Sequence, residues 1–100
     1  MNVISKRGLA KMTEAKRADR DTVAELDYWY KTARSAEWKN LVDVRQEFPS
    51  ADQVGRVLIF NVRHNRYRLI TFVVYEKQKV YVKALLSHKE YDRKEWMKWA

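Results

Sequence analysis

The second half of the chain alternates between apolar and polar residues at a spacing that predicts β-structure. Three segments rich in β-branched and aromatic residues follow Gly55, separated by two short polar stretches, His64-Asn65 and residues 76–79. The first stretch suits a tight turn, because Asn tolerates a positive φ. The pattern therefore predicts two hairpins that join three strands, at residues 56–62, 66–75 and 79–86.

The first half of the chain has the periodicity of helices. Apolar residues between Val23 and Ala33 recur at three- and four-residue intervals. Thr22, with Glu25 three residues later, predicts a capping box at the start of this helix. Two further helices are predicted, at residues 6–20 and from Ser35 to the stop at Pro49.

The order of these elements indicates the fold class. A short strand is predicted at residues 2–5 and a return to helix at residues 88–99. We therefore expect an α+β fold in one domain, residues 1–100, with N-terminal helices packed on one face of a small antiparallel sheet and a short C-terminal helix.

The two hairpin turns predict which residues share a face of the sheet. A two-residue turn at His64-Asn65 places Asn61 opposite Arg68 and Ile59 opposite Ile70. A second turn centred on Lys77-Gln78 places Tyr75 opposite Val80, Phe72 opposite Lys83, and Arg68 opposite Ser87. One face is then almost entirely apolar and should be covered by the helices; it holds Leu58, Phe60, Val62, Tyr67, Leu69, Thr71, Val73, Tyr75, Val80, Val82, Ala84 and Leu86.

The opposite face should be open to solvent or to a partner. A row of Asn61, Arg68 and Ser87 is predicted to cross three strands there, followed along the chain by His88 and Tyr91. A one-residue slip would bury Arg68, at a cost of several kcal/mol. The predicted members of this face are Arg63, Arg66, Asn61, Arg68, Tyr81 and Lys83, with Val57, Ile59, Ile70, Phe72, Val74 and Leu85 between them. Clustered cations on a sheet face favour a nucleic-acid platform over a half-exposed sheet with incidental charges.

The charge distribution strengthens this interpretation. Of the net charge of +8, residues 51–100 contribute +6, from 11 basic and 5 acidic side chains, and no acid lies between Gln53 and Tyr75. Such asymmetry is typical of a protein that binds a polyanionic partner, although a solubilising surface is the alternative.

Cysteine is absent, which excludes disulfides, thiolate zinc sites and a cysteine nucleophile. With no apolar stretch near the roughly 20 residues that span a bilayer and no signal-peptide core, we expect a cytoplasmic protein that does not enter a membrane.

Five motifs resemble the HigB family of toxins, within the wider RelE-like fold. They are Trp38 in SAEWKN, FPSADQVG at 48–55, FNV and NRYRL within 60–69, VYVK at 80–83, and HKEYD at 88–92. The resemblance covers residues 1–93, and the order of the last three motifs is its most specific part. Two positions depart from the family pattern: Ser87 stands before His88 where the family has a Gly-Thr-His approach, and His64 occupies a turn that often holds Gly.

The resemblance implies a toxin of a type II toxin–antitoxin system. Such a toxin is a ribosome-dependent endoribonuclease that cleaves translated mRNA, uses the RNA 2′-hydroxyl as nucleophile and needs no metal or cofactor. Its partners would be mRNA on the ribosome and a HigA-like helix-turn-helix antitoxin, with the free toxin a monomer. The residues agree with metal independence, because the chain has two histidines, without ligand spacing, and no carboxylate cluster.

Each candidate residue has a functional and a structural interpretation. As catalytic residues, Arg68 would bind the phosphate, Asn61 would position it, Lys83 would stabilise charge, and His88 and Tyr91 would move protons or stack. The structural alternatives are an ion pair for Arg68, cross-strand pairing for Asn61, coverage of Phe72 by the Lys83 stem, a turn or cap for His88, and packing for Tyr91. The predicted RNA-backbone contacts are Arg63, Arg66 and Lys39, and the four tryptophans, including Trp38, are predicted to be structural.

Two other functions stay open from the residues. The same sheet face could serve a non-catalytic RNA-binding module, or the chain could be a ParE-like toxin that inhibits gyrase on the same fold. His88, Tyr91 and the cationic row favour the nuclease.

Overall fold

A computed structural model describes all 100 residues and has the α+β architecture that the sequence predicts. Five strands form one sheet in the order β1-β5-β4-β3-β2, in which β1 pairs parallel to β5 and all other pairs are antiparallel. The sheet is therefore mixed and not purely antiparallel. The elements are β1 (Asn2–Ile4), α1 (Leu9–Ala15), α2 (Arg20–Ser35), α3 (Leu41–Glu47), β2 (Asp52–Val54), β3 (Val57–Val62), β4 (Tyr67–Val74), β5 (Lys79–Ser87) and α4 (His88–Asp92), with 3₁₀ turns at Tyr75–Lys77 and Glu95–Trp99. None of the helices is long and apolar enough to cross a bilayer.

The start of α2 differs from the prediction. Asp19 is the N-cap, and its carboxylate accepts the backbone N–H of Thr22 at 2.9 Å and the Thr22 hydroxyl at 2.6 Å. The expected capping box of Thr22 and Glu25 is therefore wrong. Thr22 lies inside the helix and is fully buried, so its hydroxyl needs an acceptor, which Asp19 supplies. Likewise α3 begins after an Asn40 cap and not at Ser35.

The main core lies between the helices and one face of the sheet. Trp29 and Trp38 pack around Phe60, with ring centroids 5.3 and 6.1 Å from it. Both tryptophans are buried, as the sequence predicts. The predicted helix-covered face is confirmed at seven buried strand residues: Leu58, Phe60, Val62, Leu69, Val73, Val80 and Val82.

The first hairpin has the predicted register. Asn61 pairs with Arg68 and Ile59 with Ile70. The turn differs in one detail, because the positive φ values belong to Arg63 (52°) and His64 (59°). The Arg66 N–H closes the turn on the Arg63 carbonyl at 3.1 Å.

The predicted register of the second hairpin is wrong. Val80 pairs with Val73 and not with Tyr75, and Phe72 pairs with Tyr81 and not with Lys83. The physical reason is the turn, which is the 3₁₀ segment Tyr75–Lys77 closed by Gln78 in the left-handed conformation. The turn thus begins one residue earlier than predicted, and the Gln78 side-chain amide fixes it by donating to the carbonyls of Trp38 at 2.7 Å and Tyr75 at 2.9 Å.

A β-bulge at Lys83 then shifts the rest of β5 by one residue. Thr71 pairs with Val82 but Ile70 pairs with Ala84, so Lys83 has no opposite residue. The bulge reverses the predicted faces beyond it: Leu85 joins the main core, whereas Ala84 and Leu86 lie with the opposite cluster. The predicted row ending in Ser87 is therefore wrong, because Leu86 stands opposite Arg68 and Ser87 opposite Tyr67.

The second face is only partly open. Glu95–Trp99 folds back across it after Lys94 adopts a left-handed conformation with φ 60°. Trp96 is buried there against Val57, Ile59 and Ile70. The expectation of a free face is thus wrong for the part that Glu95–Trp99 covers, because the apolar residues there form a second core. The end near the first hairpin, with Asn61 and Arg68 half-buried, stays accessible.

Candidate active site

Arg68 lies on the central strand β4 and forms no salt bridge. The other three arginines of the acid-free segment each have a carboxylate partner: Arg56 with Glu76 at 3.1 Å, Arg63 with Asp21 at 3.7 Å, and Arg66 with Asp19 at 3.4 Å. The ion pair that was the structural alternative for Arg68 is therefore absent. Its guanidinium donates to the Asn65 carbonyl at 3.0 Å, which orients the group without neutralising its charge.

Tyr91 contacts Arg68 from the neighbouring element. The Arg68 guanidinium carbon lies 5.1 Å from the centre of the Tyr91 ring, within the range of a cation–π interaction. Tyr91 stacks in turn on Trp96. A strand residue and a residue of α4 thus meet above the sheet, as the interpretation of Tyr91 as a site residue requires.

Asn61 stands beside Arg68 on β3 and lines a polar hollow. Its cross-strand partner is Arg68 itself. The hollow has a volume of about 440 Å³ and contains no apolar side chain; its other lining residues are Glu25, Ser50, Arg63, His64 and Asn65. Asn61 therefore lies between Arg68 and this polar hollow.

Residue Ser87 fixes the start of α4, and with it the position of Tyr91. Its hydroxyl accepts the Glu90 N–H at 3.2 Å, and the Glu90 carboxylate accepts the Ser87 N–H at 3.0 Å, a complete capping box. Glu90 also forms an ion pair with Lys16, the C-cap residue of α1. The Lys16 hydrogen bond, followed by the Ser87 N–H, lowers the pKa of Glu90 from 4.5 to about 2. The helix is therefore anchored at both its own N-terminus and α1.

His88 is the first residue of α4 and is largely exposed. Its Nε2 atom lies 3.3 Å from an Asp92 carboxylate oxygen, four residues along the helix. Ser87, and not His88, is the N-cap, so the capping role that was the alternative for His88 is filled by its neighbour. A histidine oriented by a carboxylate is an arrangement suited to proton transfer. Sequence reasoning did not single out Asp92, although the i, i+4 spacing could have indicated it.

Lys83 does not join this group. The bulge turns it into solvent, where its ammonium lies 5.7 Å from the Tyr81 ring centre. It lines a separate hollow with two other cations, Lys6 and Arg7, and neither they nor Lys83 form a salt bridge. Lys6 and Arg7 are residues that sequence reasoning missed, because β1 carries no local signal that it pairs with β5.

Arg63 and Arg66 face the start of α2. Their pairing with Asp21 and Asp19 partly neutralises both side chains. Hydrogen bonds from Thr22, with a smaller contribution from the two arginines, lower the pKa of Asp19. Lys39 lies at the end of the sheet opposite the first hairpin. Its neighbour Trp38 accepts, through the backbone carbonyl, a hydrogen bond from Gln78 in the second hairpin turn. The structure therefore groups Asn61, Arg68 and Tyr91, with His88 on the same short helix, and leaves Lys39 and Lys83 apart.

A family model matches most of the chain. The model describes HigB toxins, the RelE-like toxic component of a toxin–antitoxin system, and it matches residues 22–94. The chain belongs to the HigB toxin family. The mRNA interferase toxin HigB of Escherichia coli (strain K12) is 34% identical to it over 58 residues, and the mRNA interferase HigB of Shigella flexneri gives the same values. The aligned part is 55% of this chain and 56% of each relative, so the chain spans about half the length of the curated relatives it matches.

The HigB family match includes all of the grouped site residues but not two of the residues that support them. Asn61, Arg68, His88 and Tyr91 fall within residues 22–94. Trp96, on which Tyr91 stacks, lies outside that range, and so does Lys16, which holds Glu90. Neither the motifs nor the family match identified these two supporting residues.

Proposed function

We propose that this HigB-family protein is an endoribonuclease that cleaves translated mRNA on the ribosome. The observation that carries the proposal is Arg68, a half-buried guanidinium without a carboxylate partner, held against Tyr91 at the accessible end of a sheet face. A guanidinium in this state suits a phosphodiester, because its N–H groups can donate to two phosphate oxygens at once. The relatives named mRNA interferases support mRNA as the substrate.

In the proposed mechanism the RNA 2′-oxygen attacks the adjacent phosphorus. The bond to the 5′-oxygen breaks, which leaves a cyclic phosphate and a 5′-hydroxyl. Arg68 stabilises the charge that develops on the phosphorane oxygens, and Asn61 orients the ribose or phosphate. His88, oriented by Asp92, and Tyr91 carry the two proton transfers, out of the 2′-hydroxyl and onto the departing 5′-oxygen.

We further propose that no divalent metal takes part. The side chains of His, Asp and Glu form no group of three that could hold an ion. A crystal structure soaked with manganese tests this directly. An ordered ion held by side chains beside Arg68 or His88 would contradict the proposal.

The RNA backbone would continue from Arg68 toward the hollow at Lys83. Lys83 lies three residues from Leu86, the partner of Arg68, which places the two sites about 10 Å apart along the sheet. We assign Lys83 to charge stabilisation along this path. Arg63 and Arg66 are proposed as weaker backbone contacts because their charges are shared with Asp21 and Asp19, and Lys39 as a remote contact to ribosomal RNA.

The proposed partner is a HigA-like helix-turn-helix antitoxin, and the proposed site of action is the cytoplasm, where mRNA is translated. Membership of a toxin–antitoxin family supports an antitoxin partner. We propose a monomer for the free toxin.

The decisive experiment compares the parent with Arg68→Ala by primer extension on translated mRNA after expression in bacteria. The parent should arrest growth and cut within reading frames. Arg68→Ala should stay folded, because the side chain is not in either core, and should cleave slower by a factor on the order of 10²–10³, the loss typical of deleting one donor to a developing oxyanion.

Lys77→Ala is the control, because Lys77 lies in the second hairpin turn at the far end of the sheet and should leave cleavage unchanged. Growth arrest without cleavage would favour a ParE-like toxin, and RNA binding without cleavage would favour a binding module. A folded Arg68→Ala protein that cleaves like the parent would reject the proposal.

A further inference from the structure

Trp96 touches Tyr91 in two ways. The two rings are stacked, with centroids 5.1 Å apart and planes inclined by 3°. The indole N–H of Trp96 also donates to the Tyr91 carbonyl oxygen at 3.0 Å. Because Tyr91 carries the Arg68 guanidinium at 5.1 Å from its ring centre, Trp96, Tyr91 and Arg68 form a continuous chain of contacts. We call these three side chains the stack.

The Trp96 end of the stack is rigid. Only 5% of the residue is exposed, and it packs against Val57, Ile59 and Ile70 of β3 and β4. The following residues are anchored as well, because the Ala100 backbone lies against Gly55, where a Cβ would come within 3.2 Å of the Ala100 carbonyl carbon. The other end differs, since Arg68 and Tyr91 are half-exposed and belong to the accessible part of the face.

We propose that Trp96 is a positioning residue that holds Tyr91, and through Tyr91 the Arg68 guanidinium, in the geometry that RNA requires. This inference rests on the proposed function, because it assigns Arg68 and Tyr91 to the RNA. The physical basis is preorganisation: long, half-exposed side chains otherwise populate several rotamers, and a displacement of about 1 Å at a reacting group can cost on the order of 10²-fold in rate. Trp96 lies outside residues 22–94, the part of the chain that matches the family model.

The test uses the full chain with two substitutions at Trp96. Trp96→Leu keeps an apolar side chain on the second core but removes the stacked ring. Trp96→Phe restores a ring and removes only the indole N–H. Trp99→Leu is the matched control, because Trp99 packs against the same core without stacking on Tyr91. All four proteins are compared by thermal unfolding, by cleavage of translated mRNA, and by NMR of the Arg68 side chain, whose δ-protons the Tyr91 ring should shift upfield.

Trp96→Leu should move the Arg68 δ-proton resonances toward random-coil values and lower cleavage about 10- to 100-fold. Trp96→Phe should restore the parent's Arg68 resonances and the parent's cleavage. Trp99→Leu should leave both measurements close to those of the parent, even where it lowers the unfolding temperature. A folded Trp96→Leu protein with the parent's Arg68 resonances and cleavage would overturn the proposal.

Two outcomes separate this proposal from the proposed function. If the Arg68 δ-protons of the parent have random-coil chemical shifts, the stack does not exist and the proposal is overturned. This test needs no variant, so it also applies if Trp96→Leu does not fold. If the parent cleaves no RNA, the function fails, yet the resonances still decide whether Trp96 positions Arg68.

Discussion

At the scale of single residues, Glu90 joins distant parts of the chain through one carboxylate. It pairs with Lys16 at the end of α1 and accepts the Ser87 N–H, and together these contacts lower its pKa from 4.5 to about 2. A carboxyl whose pKa is lower in the folded state stabilises the fold above its unfolded pKa of about 4.5 and loses that contribution as the pH falls toward 2. Because a third of the side chain is exposed, water screens the pair, and we expect a contribution of about 1 kcal/mol.

Glu90→Gln should therefore lower the free energy of unfolding by about 1 kcal/mol at pH 7 and by much less at pH 2, where the carboxyl is about half protonated in the folded parent and almost fully protonated in the unfolded chain. Urea denaturation at a series of pH values measures this difference. Glu14→Gln, on the exposed surface of α1, is the control and should show no such trend. An equal loss at both pH values would mean that the charge of Glu90 contributes nothing.

At the scale of elements, the bulge in β5 decides which of two adjacent leucines is core. Leu85 is 3% exposed and packs beneath the helices, whereas Leu86 is only half-buried against the second core. Leu85→Ala should cost about 2–5 kcal/mol of stability, as for other buried leucines, and Leu86→Ala roughly 1 kcal/mol. Chemical denaturation of both variants tests the register, since the unbulged pairing predicts the opposite order.

The same elements show what sequence can predict. The register of the first hairpin follows from the polar residues near its turn, because a one-residue slip would bury Arg68. The bulge does not, since Ala84, Leu85 and Leu86 are three apolar residues in a row and either face accepts them. The sequence did not predict β2, because this strand is only three residues long. It did not predict Asp19 as the cap of α2 either, because other residues in the same stretch can also cap a helix.

At the scale of the whole molecule, the excess positive charge is not spread evenly. Lys6 and Arg7 line the same hollow as Lys83, and none of these three cations has a carboxylate partner. For single-stranded RNA each phosphate contact contributes about 0.7 to the slope of log affinity against log salt concentration. The double variant Lys6→Ala/Arg7→Ala should therefore reduce this slope by about 1.4 in a titration of labelled RNA.

The control is a second double variant that removes two positive charges elsewhere. Lys31→Ala/Arg34→Ala changes exposed residues of α2, away from the hollow at Lys83. Its slope should stay near that of the parent. Equal slopes for the two double variants would show that net charge alone, and not this hollow, attracts RNA.

The candidate site could be predicted only in part from the sequence. Motifs identified Asn61, Arg68, His88 and Tyr91 one by one, because each lies in a recognisable stretch of sequence. Their support could not be found that way: Lys16 and Glu90 are brought together by the packing of α1 on the end of β5, and Trp96 by a left-handed turn at Lys94. Such contacts depend on tertiary structure and leave no periodic signal.

The parallel pairing of β1 with β5 has a consequence for the order of folding. Asn2 pairs with Lys79, so β1, the first of the five strands of this sheet, cannot pair until almost the whole sheet has left the ribosome. Contacts between residues this far apart form slowly, because the intervening loop must close first. The residues of α4 emerge later still. We therefore expect the candidate site to form late in folding, since the Arg68 and Tyr91 side chains meet only after synthesis of both is complete.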